Sequence, residues 1–200
     1  PLMADINLNE LATVLDSEDM IGFTRVFVED IRKGFRNVTL ERYPWMEEIG
    51  NTDWQGVLAL GMGGSAAGGD FLSALCNLKG KVPVVVQRDY VIPSWWNEKW
   101  LVISTSHSGN TEEAIDATEI ALQAGATVIV ISTGGILSGL AEIHYNCYFI
   151  PSIGGQPPRS AFGHIFARQL ALFKGIGILP DDEDNEVMLE RLQSVVDDYD

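Results

Sequence analysis

Cysteine, basic charge and long apolar runs are all scarce in this 200-residue chain. The only two cysteines, Cys76 and Cys147, lie far apart in apolar surroundings and lack metal-type spacing. They read as buried reduced thiols of a cytoplasmic protein rather than as a disulfide or a metal pair. Lys and Arg number 13 against 28 Asp and Glu, a formal net charge of −15. A surface so short of cations excludes nucleic acid as a partner, because phosphate backbones are held by basic patches. No apolar run approaches a membrane span and no secretory leader is recognisable, so no membrane partner is expected. The G-K-[ST] of a Walker-type nucleotide loop is missing too. The acid is concentrated at residues 181–184 and 197–200, and reads as solvated surface.

What is present is a core-forming chain, 46% apolar, organised around residues 101–113, LVISTSHSGNTEE. It begins apolar, turns hydroxyl-rich at Ser104, Thr105, Ser106 and Ser108, and passes through Gly109 and Asn110 into a helical pattern at Thr111. A buried strand, a tight loop and a helix start are implied. A helix start carries unpaired N–H groups and a partial positive charge of roughly half a unit. Hydroxyls around it can hold an anion, usually phosphate, by neutral donors alone. N-capping explains one of Ser108, Asn110 or Thr111, but not Ser106, Ser108 and Thr111 together.

A second loop has the same placement. The apolar run 57–60 leads into GMGGSAAGG, residues 61–69, where glycines allow close main-chain approach and Ser65 is the one side-chain donor. Gly61, Gly63 and Ala66 also fit the dinucleotide pattern G-x-G-x-x-[GA], with Asp89 later than the usual ribose-binding acid, which leaves a nicotinamide-dependent dehydrogenase as an alternative. Further strands are expected at 81–87, 100–105, 127–132 and 147–150, alternating with helices at 112–125, 137–143, 160–173 and 185–196. Helices are also expected before Trp54, with Asn7 as a cap and a break at 16–19. Trp95 and Trp96 read as packing. Alternation of this kind, with continuous apolar strands, predicts an open parallel sheet covered on both faces. Ligands of such sheets sit beyond the carboxyl ends of the strands, where strand order reverses, and both loops leave such ends. Behind Pro157 and Pro158, Arg159 precedes a helix; it suits an oxyanion or sugar hydroxyls, or equally a surface acid.

GMGGSAAGGD, STSHSGNTEEA and PPRSAFG, in this order and spacing, resemble the sugar isomerase (SIS) domain family, and within it the bifunctional phosphoglucose/phosphomannose isomerases. The likeness covers about residues 57–179. It implies an α/β, three-layer α-β-α sandwich around a five-stranded parallel sheet, flavodoxin-like, with N-terminal helices. It also implies binding of a phosphorylated hexose and aldose–ketose conversion without metal or other cofactor. By this resemblance Gly64, Ser65, Ser106, Ser108 and Thr111 hold substrate phosphate, and Arg159 binds substrate at the reacting carbons as a catalytic group. The domains expected are 1–54, an N-terminal helical segment; 55–180, the SIS domain; and 181–200, an acidic linker and connector helix. Isomerases of this kind carry two SIS domains, with the catalytic glutamate and ring-opening histidine in the second. A second SIS domain or a homodimer partner is therefore expected, and a non-catalytic phosphosugar-sensing module is the alternative. His107 should alternate away from Ser106 and Ser108, and His164 reads as a packed helix residue.

Overall fold

The computed structural model describes residues 8–198; the expected cap Asn7 lies outside them. The element order is α1 (Leu8–Leu15), α2 (Met20–Arg25), α3 (Phe27–Arg36), α4 (Trp45–Gly50), β1 (Gly56–Leu60), α5 (Gly63–Lys79), β2 (Val84–Gln87), β3 (Trp100–Thr105), α6 (Glu112–Gln123), β4 (Val128–Ser132), α7 (Gly135–Ile143), β5 (Cys147–Pro151), α8 (Phe162–Gly175) and α9 (Asn185–Asp197).

The five strands form one sheet in the order β2-β1-β3-β4-β5, every neighbouring pair parallel. Successive strand residues point to opposite faces, so one apolar run serves two cores. Val57, Ala59, Leu101, Ile103, Ile129 and Ile131 pack against α4, α5 and α8 through Met46, Leu72, Cys76 and Phe173. Leu58, Leu60, Val102, Val128 and Val130 pack against α6 and α7 through Ala117, Ala121, Leu137 and Leu140. The result is the expected three-layer α/β sandwich. Both cysteines are free and buried; burial pushes the Cys76 thiol up to about 11 and the Cys147 thiol up to about 12.

Of the N-terminal helices, α3 and α4 lie against α8. A Cβ on Gly34 of α3 would stand 2.5 Å from Ala167 Cβ, so the glycine sets how closely these helices cross. Periodicity across residues 23–35 suggests one helix, but the structure breaks it at Val26 into α2 and α3. Asp16 starts α2, accepting the Met20 and Ile21 amides at 2.8 Å each. The second strand is shorter than the sequence suggests, starting at Val84, because the Lys81 amide is drawn off to Ile178 O at 3.0 Å. Helix α8 starts at Phe162 rather than at 160, after a turn. The acid at 181–183 is exposed but engaged: Asp181 pairs with Lys174 at 3.2 Å and Glu183 with Lys79 at 2.8 Å. Trp95 stacks at a tilt on Trp100, centroids 5.0 Å apart, as packing.

Candidate functional site

Strand order reverses between β1 and β3: β2 lies on one side of β1, while β3 and the later strands lie on the other. The crevice expected in open α/β sheets therefore falls at the carboxyl ends of these two strands, where the glycine and hydroxyl loops both emerge. Gly61 allows their close approach, since a Cβ there would stand 2.9 Å from Thr105 O and 3.3 Å from the Ala66 amide nitrogen. Helix α5 then starts at once. Gly63 takes φ +50°, and Ser65 sits in the first turn with its amide on Met62 O at 3.1 Å.

The hydroxyl loop is self-braced. Ser106, 1% exposed, shares a hydrogen bond between its Oγ and Thr111 Oγ1 at 2.8 Å and accepts the Gly109 amide at 3.1 Å. Ser108, exposed, accepts the Asn110 amide at 3.2 Å. Thr111 occupies the N-cap position of α6, yet its side chain makes no capping bond. The first helical bond is Ile115 N–H to Thr111 O at 3.0 Å, so the amides of the opening turn have no intrahelical acceptor. Capping thus fails to account for Thr111, whose hydroxyl faces Ser106 instead. Asn110 serves another element: its Oδ1 accepts the Ile136 amide at 3.0 Å, at the start of α7. Gly109, at φ +72°, presses on that same neighbour, and a Cβ there would fall 1.8 Å from Gly134 O.

The third motif abuts both loops. A Cβ on Gly64 would be 3.9 Å from Pro158 O, and His107 Nε2 lies 3.0 Å from Gln156 O. Arg159 itself is exposed and ion-paired with Glu18, in the α1–α2 connection. It lines a cleft of about 340 Å³ with Phe23, Phe27 and Phe162, among others. The structure thus gathers Gly64, Ser65, Ser106, Ser108 and Thr111 around two helix starts. It leaves the Arg159 guanidinium with a surface acid, the other outcome open to it from sequence. Of the carboxylates nearby, Glu112 is exposed and Glu113 is half-buried, lining a small recess with Gly61, Met62, Gln87 and Asp89.

Behind the loops lies a polar layer that sequence reasoning missed. The His107 ring reaches Gln156 O through Nε2 at 3.0 Å and lies 6.2 Å from the ring of His164 between centroids. His164 is fully buried, and its Nδ1 is 3.0 Å from Ser152 Oγ. Burial, aided by Arg168 and His107, pushes His164 down to about 3, so it is neutral. Arg168, 3% exposed, donates to Pro151 O at 3.0 Å and His164 O at 2.9 Å. Gln169 donates to Thr105 Oγ1 at 2.9 Å, fixing the end of β3 from α8. The one sequence signal for this layer is the run of polar residues on an otherwise apolar α8. Among the described residues no group of three or more His, Cys, Asp or Glu could hold a metal ion, and no helix is long and apolar enough to cross a membrane.

No family model matches the chain. It is 41% identical over 145 residues to the bifunctional phosphoglucose/phosphomannose isomerase of Caldicellulosiruptor bescii, an alignment covering 72% of this chain and 42% of that protein. The protein of the same name from Thermoplasma acidophilum is 34% identical over 149 residues, covering 70% and 46%. The chain spans about half the length of these curated relatives. Among solved structures, tagatose-6-phosphate ketose/aldose isomerase from Escherichia coli shares the fold at a TM-score of 0.62 and 19% identity, over 88% of this chain and 53% of that one.

Proposed function

We propose, from the premise that this chain has the sugar isomerase fold and is homologous to part of the bifunctional phosphoglucose/phosphomannose isomerases, that it is the sugar-phosphate-binding half of an aldose–ketose isomerase. Its substrates are glucose 6-phosphate and mannose 6-phosphate, and its product is fructose 6-phosphate. The observation that carries this reading is the junction of two loops at the reversal of strand order, with the Ser106–Thr111 hydroxyl pair at the start of α6. A phosphate there takes hydrogen bonds from Ser65, Ser106, Ser108 and Thr111, from main chain near Gly64, and from the free amides of the helix start. The strand order also speaks against the dinucleotide alternative, whose usual order is 3-2-1-4-5-6.

Isomerisation moves a proton between C2 and C1 through an enediol, so a base must reach within about 3 Å of it, directly or through one water. Serine, threonine and arginine are no bases at neutral pH. We assign the base to the part of the homologous enzymes that this chain does not span. Arg159, released from its surface pairing, stabilises the enediolate oxygens through its planar fork. A second SIS domain or a partner copy completes the site in this scheme. The pairing of Arg159 with Glu18 is the observation favouring the second reading, a phosphosugar-binding module without catalysis.

The test is calorimetric titration of the 200-residue chain with glucose 6-phosphate, alongside a coupled isomerase assay of the same preparation. Saturable binding with negligible turnover is expected. Absence of binding overturns the proposal, and fast turnover overturns the assignment of the base to another segment.

A further inference from the structure

We propose that His107 is a positioning residue that ties the hydroxyl loop to the segment bearing Arg159. The inference rests on the reading of that loop as a sugar-phosphate site. His107 stands between Ser106 and Ser108 in sequence, and its Nε2 lies 3.0 Å from the carbonyl oxygen of Gln156. A carbonyl can only accept, so the proton is on Nε2 and the ring donates. Gln156 is three positions before Arg159, with Pro157 and Pro158 between. Proline fixes the backbone at φ near −65°, so where Gln156 is held largely decides where Arg159 stands. The other end of His107 is fixed as well, since its own carbonyl takes the Thr133 amide at 3.0 Å. The residue thus runs as a strut from the β4–α7 connection, through the phosphate loop, to the arginine segment.

With the proton on Nε2, His107 Nδ1 is a bare acceptor, and it is buried without a partner. His164 presents the complement. Its ring lies 6.2 Å from that of His107 between centroids, its Nδ1 is engaged by Ser152 at 3.0 Å, and its Nε2 is buried without a partner. If the Ser152 hydroxyl donates to Nδ1, the His164 proton is on Nε2, where a donor is needed. These two unpartnered nitrogens have complementary roles, so a hydrogen bond between them would join Ser152, His164, His107 and Gln156 into one directional chain. Buried polar groups are rarely left unpaired, and such a chain fixes the tautomer that lets His107 hold Gln156.

The experiment compares glucose 6-phosphate with inorganic phosphate as calorimetric ligands of the full chain. Inorganic phosphate needs only the hydroxyl loop, whereas the sugar phosphate also needs the arginine segment. His107→Phe, which keeps the ring and removes the donor, should weaken glucose 6-phosphate by about tenfold, the equivalent of one lost hydrogen bond. It should leave inorganic phosphate within about twofold, the scale of a side-chain change outside the contacts. His107→Asn, too short to reach Gln156, should match it without added bulk, and His107→Gln, whose amide can reach, should restore most of the loss. In an Arg159→Met background His107→Phe should have little further effect, which a merely structural role would not produce. Equal weakening of both ligands, or an undiminished effect in that background, overturns the positioning role while leaving the phosphate site standing. No glucose 6-phosphate binding by the unaltered chain overturns both.

Discussion

If phosphate is held by the Ser106 and Thr111 hydroxyls together, their affinities should combine in a characteristic non-additive way. These hydroxyls bond each other at 2.8 Å, so one of the two protons is already engaged. A phosphate that takes both must break that bond. Each hydrogen bond to the charged ligand is worth about 2 kcal/mol, and the neutral pair about 1 kcal/mol. Removing one hydroxyl loses one ligand bond but abolishes the pair that had to be broken, a net loss of about 1 kcal/mol. Removing both loses two ligand bonds and the same pair, about 3 kcal/mol. Ser106→Ala and Thr111→Val should therefore each weaken glucose 6-phosphate by about fivefold, and the double variant by about 140-fold, well beyond the product of the two. Calorimetry gives the three ratios. Urea unfolding of each variant checks that the loop survives, because Ser106 also accepts the Gly109 amide at 3.1 Å and its loss should cost about 2 kcal/mol of stability. Unchanged affinity in the double variant refutes the site. A double loss equal to the product of the singles refutes the two-donor geometry.

Two further outcomes follow from the same region. Gly109→Ala should lower stability by about 2 kcal/mol or more and abolish phosphate binding, because the added methyl would fall 1.8 Å from Gly134 O at a backbone φ of +72°; urea unfolding and calorimetry read the two effects. His164 should make the fold acid-sensitive: burial holds its folded pKa at about 3, below the ordinary 6.5 of a histidine, so the unfolded chain binds the proton first. Its contribution is complete above pH 6.5 and is lost towards pH 3 at up to about 1.4 kcal/mol per pH unit. His164→Leu should flatten that slope in urea midpoints measured between these limits, and an unaltered slope would show that the buried imidazole is not the group titrating.

The sheet was legible because its strands are runs such as Leu101, Val102 and Ile103, apolar on both faces, and such runs fit only a sheet covered on both sides. The two loops were legible because their residue types have few other uses: glycines where backbones must touch, and hydroxyls where a helix starts without a cation. What could not be read lies in contacts distant in sequence. Arg159 meets Glu18 across 141 positions, and no local pattern distinguishes that acid from the other 27 acidic residues among 28. Nor does any local pattern give Gln156 as the destination of the His107 ring, 49 positions away. Periodicity ran straight through Val26, where side-chain spacing continues although α2 ends and α3 begins. Lys81 reads as the start of a strand until Ile178 O claims its amide.

The phosphate loop, residues 101–113, contains no Lys or Arg, and electrostatics give the reason. A chain of net charge −15 repels a phosphate dianion at long range, and the repulsion is screened beyond about 8 Å at physiological salt. Within that distance the balance is set by fixed dipoles. Two helices, α5 and α6, begin at the crevice, each presenting about half a positive charge and several free amides. Anchoring of this kind is directional and is preorganised by Gly61 and Gly109, but it carries less charge than a lysine. The one cation carried by the three motifs is Arg159, and it stands on a separate segment, in an exposed ion pair of the kind worth at most about 1 kcal/mol. A separate cation can be exchanged between Glu18 and a developing enediolate without disturbing the phosphate anchor. An arginine built into the loop would instead hold substrate and transition state alike, and would contribute nothing to their difference.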